Sequence, residues 1–130
     1  MPKDAANYVD GFVFVVPKKN FNSYKRMAQW GKNLWMKHGA LDYKECVGDD
    51  LVPKPMGGTK PLSFTKLAKA KPGEVVWFSF ITYKSKKHRD QVNARVMKDP
   101  VMDDPKLRDK PMPFDIKRMA YGGFKVIVSK

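Results

Sequence analysis

A single carboxylate interrupts the apolar segment 8–16. Asp10 lies in a run otherwise rich in aromatic and β-branched residues. Burial in such a segment would raise the pKa of the carboxyl and would suit a general base or a ligand anchor. Buried carboxylates are usually paired, however, so we favour a structural role in which Asp10 meets Lys125 or caps a backbone group.

Glu45 and His38 are the other two candidate catalytic residues. Glu45 shares one face of a predicted edge strand with Tyr43 and Val47. A carboxylate on such a face indicates either a pocket or a charge that prevents pairing between exposed sheet edges, and both interpretations stay open. His38 ends the first predicted helix, where an imidazolium interacts well with the helix dipole, so capping is favoured over catalysis.

The segment 112–118 carries the best ligand-binding pattern. Its loop is stiffened by prolines, and it places the aromatic ring of Phe114 beside the charged pair Asp115 and Arg118. The alternative, which we favour, is an internal ion pair between Asp115 and Arg118 that shapes entry into the last strand. Trp77 and Tyr121 complete the candidate ligand-binding residues, although packing in the core is the simpler explanation for Trp77.

No motif for metal ligation or covalent chemistry is found. The two histidines lie on different predicted helices without the spacing of a zinc site, and a glycine-rich phosphate loop is absent from the sequence. The single cysteine, Cys46, cannot form a disulfide within the chain and is expected to be a packed, inert thiol. We therefore expect no metal and no cofactor, and whether the protein is an enzyme stays open.

The formal net charge of +13 raises the question of nucleic-acid binding. The lysines are scattered in ones and twos, and lysine outnumbers the arginine that base and phosphate recognition favours. A solvated basic surface is therefore the preferred explanation, and nucleic acid is an unlikely partner. The sequence has neither a window of apolar residues long enough for a membrane span nor a signal-peptide pattern, so we expect a cytoplasmic protein without membrane contact.

Hydrophobic periodicity predicts four strands and two substantial helices in one domain, 1–130. The strands are predicted at 8–16, 41–48, 74–83 and 117–128, and the helices at about 20–38 and 85–98. A long connection at 49–73, rich in proline and lysine, would hold a short helix at 62–70. The order βαββαβ predicts an α+β fold with a four-stranded antiparallel sheet, order 4-1-3-2, and both helices on one face.

The strand 74–83 is apolar on both faces. Val75, Trp77 and Ile81 fall on one face, because successive side chains of a strand alternate, and Val76 and Phe78 fall on the other. Two helices about 10 Å across cover only one face of a four-stranded sheet. The open face therefore predicts a homodimer in which two sheets pack together.

Three sequence blocks resemble the YbaA-like family of bacterial proteins, a domain of unknown function. They are the segment 8–12, the residues 85–100 with their Ser-Lys, Arg-Asp and Asp-Pro pairs, and the block 112–124, with 38–46 adding to the match. The resemblance covers nearly the whole chain. It implies a ferredoxin-like protomer of the dimeric α-β barrel superfamily, and it implies no activity.

Three functional hypotheses from different classes follow. The first is an uncharacterised bacterial homodimer that binds a small anionic or aromatic molecule between sheet and helices. The second is a cofactor-independent enzyme, resembling oxygenases or dehydratases of the superfamily, that uses Asp10 or Glu45 as a base. The third is weak nucleic-acid binding through the basic surface.

Overall fold

The computed structural model describes residues 5–108 and 110–130, so residues 1–4 and 109 of the predicted single domain lie outside the described part. The strands are β1 (Tyr8–Pro17), β2 (Asp42–Val47), β3 (Glu74–Tyr83) and β4 (Ala120–Lys125). The helices are α1 (Phe21–Lys37), α2 (Phe64–Leu67), α3 (Lys86–Lys98) and α4 (Pro105–Arg108). Single 3₁₀ turns follow β1 and α3 and precede β4, at Lys18–Asn20, Pro100–Asp103 and Ile116–Arg118.

The four strands form one antiparallel sheet with the order β2-β3-β1-β4. This is the predicted order 4-1-3-2 counted from the opposite edge, so the predicted α+β fold is confirmed. β1 pairs with β3 over its whole length, from Tyr8 opposite Tyr83 to Pro17 opposite Glu74. The two central strands are therefore the two whose sequences are apolar on both faces.

The last strand is shorter than predicted. It spans Ala120–Lys125 rather than 117–128. The preceding residues form a 3₁₀ turn because the carboxylate of Asp115 accepts a hydrogen bond from the Lys117 backbone N–H at 3.0 Å. The predicted loop at 101–113 also contains the one-turn helix α4, and the predicted short helix at 62–70 is reduced to α2, which Ser63 caps.

The core lies between the sheet and the two long helices. Phe14 and Val16 of β1 pack with Trp77 of β3 against Tyr24 and Ala28 of α1. A second cluster joins the other end of the sheet to α3. Its buried members are Tyr8, Leu34, Ala40, Ile81, Tyr83, Val92 and Val96. The spacing of the α1 positions by three and four residues, an amphipathic stripe, is what directs that helix onto the sheet.

The other face of the sheet is apolar and partly bare. The register places Phe78 opposite Val13 and Phe124 opposite Val9, and directly opposed residues share a face. Phe78 is 42% exposed and Phe124 is 64% exposed. Val15 on the same face is buried. This open face is what the sequence predicted for the side that the helices leave uncovered.

The connection between β2 and β3 lies mostly at the surface. It begins where the Gly48 N–H donates to the Val76 carbonyl at 2.8 Å, and it includes a tight bridge between Met56 and Thr59. Its outward apolar side chains are Val52, Met56, Leu62, Phe64 and Leu67. Throughout the described ranges, the helices lack the length and apolar character needed to cross a lipid bilayer.

Candidate functional site

Glu45 is the centre of the most developed polar site. Its side chain points from β2 toward α1, and the carboxylate accepts three hydrogen bonds. Tyr24 Oη donates to Oε1 at 2.8 Å, Trp77 Nε1 donates to the same oxygen at 3.0 Å, and Tyr43 Oη donates to Oε2 at 2.7 Å. Three neutral donors thus hold one carboxylate in a fixed orientation, and charge-assisted hydrogen bonds of this kind are the strong ones.

Both tyrosines at this site are held in the neutral form. Burial raises the pKa of the Tyr24 and Tyr43 phenols above the ordinary value, and the adjacent charge of Glu45 raises it further. The phenols therefore remain hydrogen-bond donors throughout the physiological pH range. The Trp77 ring is fixed as well, because Phe21 and Tyr24 pack against it at centroid distances of 5.3 and 4.9 Å.

The Glu45 site opens into a cleft of about 410 Å³ between α1 and the β2–β3 edge of the sheet. The lining residues supply an aromatic floor, one carboxylate and a basic wall. They are Phe21, Lys25, Ala28, Gln29, Lys32, Tyr43, Glu45, Val47 and Trp77. The volume is in the range of small-molecule sites. Glu45 therefore lies in the wall of a cleft as well as on an edge strand, and its role stays a prediction.

A glycine in α1 gives Tyr43 the room to reach Glu45. A Cβ atom on Gly31 would lie 3.1 Å from the Tyr43 hydroxyl oxygen, which is closer than ordinary packing allows. Alternation along β2 then places Tyr43, Glu45 and Val47 on the side of the sheet that faces α1. The local sequence of both elements therefore builds this end of the cleft.

Asp10 is buried on the helix-covered face of the sheet, under α3. Its Oδ1 accepts a charged hydrogen bond from Arg89 Nη1 of α3 at 2.7 Å, and the Arg89 guanidinium lies 5.2 Å above the centre of the Tyr8 ring. Burial raises the pKa of the Asp10 carboxyl, and the charge of Arg89 opposes this rise. The expectation of a paired carboxylate was correct, but the expected partner, Lys125, was wrong.

Tyr83 lies beside this ion pair. Burial raises the pKa of its phenol, and the charge of Asp10 contributes in the same direction. Among the described residues, the Tyr83 hydroxyl makes no well-formed hydrogen bond. The ring of His88 packs edge-on against Tyr83 at 5.8 Å, and burial lowers the pKa of this imidazole. The group is tightly packed and serves as the polar part of the core under α3.

His38 joins two helix ends. It follows the last residue of α1, and its Nε2 lies 2.7 Å from Oδ2 of Asp99, the residue after α3. Lys37 Nζ contacts the same oxygen at 3.0 Å, and the Val101 N–H donates to Oδ1. The Val101 hydrogen bond holds the pKa of the Asp99 carboxyl below its usual range, with further contributions from His38 and Lys37. His38 therefore has the structural position expected for a capping residue.

The expected ion pair between Asp115 and Arg118 was wrong. Arg118 instead makes a bidentate pair with Glu74 at the start of β3, at 2.6 and 2.9 Å, and also donates to the Lys69 carbonyl at 2.9 Å. The Arg118 hydrogen bonds hold the pKa of Glu74 down, at about 2. The arginine thus ties the 3₁₀ turn before β4 to the end of the β2–β3 connection.

The aromatic candidates have separate positions. Phe114 belongs to the core, where it contacts Phe14 and Tyr24 at centroid distances of 4.9 and 5.5 Å. Tyr121 is 70% exposed and stacks on Phe12 at 5.7 Å. Only Trp77 among the predicted ligand-binding residues lines the Glu45 cleft. Phe114, Arg118 and Tyr121 are close in sequence, yet they lie in three separate regions of the fold.

Possible metal ligands are dispersed in the described part of the chain, and the cysteine lies at the surface. Within it, no group of three or more histidine, cysteine or acidic residues is arranged to hold a metal ion. Cys46 was expected to be packed, and this was wrong. Cys46 lies on the edge strand β2 opposite Phe78 of β3, so it points to the open face, and its thiol is exposed.

Comparison with known proteins identifies the family. The profile of a family described as protein of unknown function, DUF1428, matches residues 7–116. The chain belongs to the DUF1428 family. The uncharacterized protein YbaA of Escherichia coli K12 is 42% identical to it over 123 residues, which cover 95% of this chain and 98% of the relative. The uncharacterized protein YbaA of Shigella flexneri shows the same identity and coverage.

The resemblance to YbaA-like proteins is therefore confirmed, and it carries no activity to this DUF1428 chain. Function has to be inferred from the site. The sequence missed Tyr24 and Tyr43 as partners of Glu45. Tyr43 lies two residues before Glu45 on the same strand face, and this spacing was a usable signal. Tyr24 comes from α1, and only the packing of the helix on the sheet brings it to the carboxylate.

Proposed function

We propose that this DUF1428 protein binds a small molecule in the Glu45 cleft. The observation that carries this proposal is a carboxylate oriented by Tyr24, Tyr43 and Trp77 in a cleft of about 410 Å³. A surface carboxylate whose only role was to keep sheet edges apart would not need three side-chain donors, two of them buried. Rigid polar groups beside an aromatic floor are typical of small-molecule sites.

The hydrogen bonding of Glu45 indicates the kind of ligand. Oε1 accepts two hydrogen bonds from the described residues and Oε2 accepts one. Since a carboxylate oxygen offers about two acceptor positions, Oε2 can accept one more hydrogen bond from a ligand N–H or O–H group. Phe21 and Tyr43 supply apolar surface beside it. A flat, partly apolar molecule with a hydrogen-bond donor fits this arrangement.

A thermal-shift screen of small aromatic metabolites tests the proposal. A ligand raises the melting temperature by mass action, and the proposed ligand should do so for the wild-type protein but not for Glu45→Gln. Asp42→Asn is the matched control, because Asp42 lies on the same strand and points to the opposite face. A screen without any stabilising compound, or one whose compounds stabilise Glu45→Gln equally, would contradict the proposal.

We also propose that two copies associate through the open sheet face as a dimeric α-β barrel. Support comes from the apolar side chains Val13, Phe78, Phe80 and Phe124, which form a continuous band across three strands. Large exposed apolar patches on folded proteins usually mark interaction surfaces. A second copy presents the same band, so the two faces are complementary under a two-fold axis.

A second candidate function is cofactor-independent catalysis with Asp10 as the base. The observation that favours it is the raised pKa of this buried carboxyl. Asp10→Asn should then abolish turnover of a substrate found by activity screening, measured at a temperature at which circular dichroism shows that the variant is still folded. An Asp10→Asn variant that is less stable but, while folded, turns over the substrate as fast as the wild type would assign Asp10 to the core alone.

A further inference from the structure

The segment that forms α1 and the turn before it is basic without any acidic residue. Residues 18–37 include six cations and neither aspartate nor glutamate. In the described part of the chain, Lys37 pairs with Asp99, whereas the others have no carboxylate partner. These others are Lys18, Lys19, Lys25, Arg26 and Lys32. Unpaired cations concentrated on one helix create a positive potential that attracts anions.

Part of this basic surface forms a second cleft. It has a volume of about 290 Å³ and is lined by Asn22, Lys25, Arg26 and Gln29, all on the exposed side of α1. Spacings of three and four residues place these side chains in one stripe along the helix. The lining offers two cations and two amide groups, so it is suited to an anion with several acceptor oxygens.

The two clefts are neighbours along α1. Lys25 and Gln29 line both of them. One end of the combined site therefore presents a carboxylate acceptor and aromatic surface, and the other presents cations and amides. A ligand that matched both ends would carry a ring with an N–H donor at one end and an anionic group at the other.

We propose that the combined site binds a phosphorylated heteroaromatic compound of the size of a nucleoside monophosphate. The ring lies in the Glu45 cleft with a ring N–H donated to Oε2, and the phosphate lies between Lys25 and Arg26. Phosphate is favoured over a single carboxylate because two cations match its double charge and the arginine fork binds it in a bidentate manner. This inference rests on the proposed function and names the ligand class for the same site.

A nucleotide and its nucleoside test the phosphate contact directly. Guanosine 5′-monophosphate and guanosine share the same ring, which carries an N–H group that can donate to Oε2. Titration by calorimetry at low ionic strength should give a Kd at least about tenfold lower for the nucleotide, which corresponds to about 1.4 kcal/mol. Raising the salt concentration should weaken binding of the nucleotide much more than that of the nucleoside.

Charge-neutral variants assign the contact to α1. The double variant Lys25→Gln/Arg26→Gln should reduce nucleotide affinity by at least about tenfold and should reduce nucleoside affinity much less, because only the nucleotide carries the phosphate. Lys86→Gln/Lys87→Gln, which removes two exposed cations from α3, is the matched control and should retain the preference. Glu45→Gln should weaken the binding of both the nucleotide and the nucleoside.

The outcomes separate this inference from the proposed function. Equal affinity of the wild type for nucleotide and nucleoside, with both lost in Glu45→Gln, overturns the phosphate contact and leaves the Glu45 cleft as a binding site. A nucleotide preference lost equally in the α3 control indicates nonspecific charge and also overturns it. The inference is likewise wrong if neither compound binds, or if a single-stranded oligonucleotide binds more tightly than the mononucleotide.

Discussion

Asp10 and Glu45 show two ways in which this protein stabilises a carboxylate away from water. Glu45 accepts hydrogen bonds from three neutral donors, whereas Asp10 is paired with the charge of Arg89. Neutral donors leave the negative charge available to a ligand, while a buried ion pair neutralises it. This difference is the reason why Glu45 carries the proposed binding function and Asp10 only the second candidate function.

Removing Arg89 should destabilise the protein strongly. Arg89→Met leaves the buried Asp10 carboxylate without a compensating charge, and we expect a loss of about 3 kcal/mol in the free energy of unfolding at pH 7. Urea denaturation followed by tryptophan fluorescence measures this loss. Arg26→Met, which removes an exposed arginine, is the control and should change stability by less than about 0.5 kcal/mol.

The loss of stability in Arg89→Met should depend on pH. Burial raises the pKa of Asp10, and loss of Arg89 removes the interaction that opposes this rise. A group whose pKa is higher in the folded state takes up its proton preferentially on folding, so stability rises as the pH falls toward that pKa. The deficit of Arg89→Met relative to the wild type should therefore shrink between pH 7 and pH 5. A deficit that stays constant would mean that lost packing, not charge, causes it.

Three tyrosines should keep their protons to unusually high pH in the folded protein. Burial raises the pKa of Tyr24, Tyr43 and Tyr83 above the ordinary value, so these phenols keep their protons in the folded state at pH values where an unfolded chain loses them. The stability that the protonated phenols contribute is present below about pH 10 and is lost as the pH rises further.

Spectrophotometric titration at 295 nm, paired with circular dichroism, checks this expectation. The absorbance of three of the five tyrosines should rise only together with unfolding. In Tyr43→Phe, the number of tyrosines that ionise together with unfolding should fall from three to two. Smooth ionisation of all five tyrosines without any change in circular dichroism would show that the phenols are accessible in the folded state.

At the scale of elements, short polar links hold the helices and turns to the sheet. Asp99 joins the end of α1 to the end of α3, and Arg118 joins the turn before β4 to the start of β3. Each link connects segments that are far apart in sequence. The helices themselves end for local reasons, since Ser85 caps α3 at one end and Asp99-Pro100 ends it at the other.

Asp99→Asn should lower the melting temperature at neutral pH. The hydrogen bond from Val101 and the charges of His38 and Lys37 stabilise the ionised carboxylate and lower its pKa, so this stabilisation is present above about pH 4 and is lost as the pH falls below it. Differential scanning calorimetry should find a clear difference from wild type at pH 7 that narrows at pH 3. The exposed Asp103→Asn is the control, and an equal effect there would contradict the link.

The whole molecule is organised by a sheet with two apolar faces. Helices cover one face, and the other presents Phe78 and Phe124 to solvent. The net charge of +13 makes separate molecules repel one another. This repulsion opposes nonspecific aggregation through the exposed apolar face.

Analytical ultracentrifugation tests the proposed dimer. The wild type should sediment with twice the 14.9 kDa mass of the chain at micromolar concentration. Phe78→Glu should yield a single protomer, because a charge at the centre of an apolar interface is costly to bury. Met97→Glu alters an equally apolar but separate site on α3, where the methionine is 62% exposed, and should leave the dimer intact. A wild-type protein that sediments as one protomer would refute the dimer.

Prediction from sequence succeeded where the signal is local. The apolar character of both faces of 74–83 and the apolar stripe of α1 were both predicted, since the direction of a side chain follows from the strand or helix that carries it. Prediction of Asp10 and Arg118 partners failed, because Arg89 is 79 residues from Asp10 and Glu74 is 44 residues from Arg118. No local pattern specifies which of several cations will reach a carboxylate across the fold.

The amino-acid sequence alone determined the order of elements, the strand arrangement and the two-sided character of the central strands. These properties follow from periodicity, capping residues and the limited ways of connecting βαβ units. Only the tertiary structure decided that Glu45, Tyr24 and Trp77 meet in one cleft and that Asp10 is neutralised instead. The physical reason is that hydrogen bonds between side chains require positions accurate to a few tenths of an ångström, which packing supplies and sequence spacing does not.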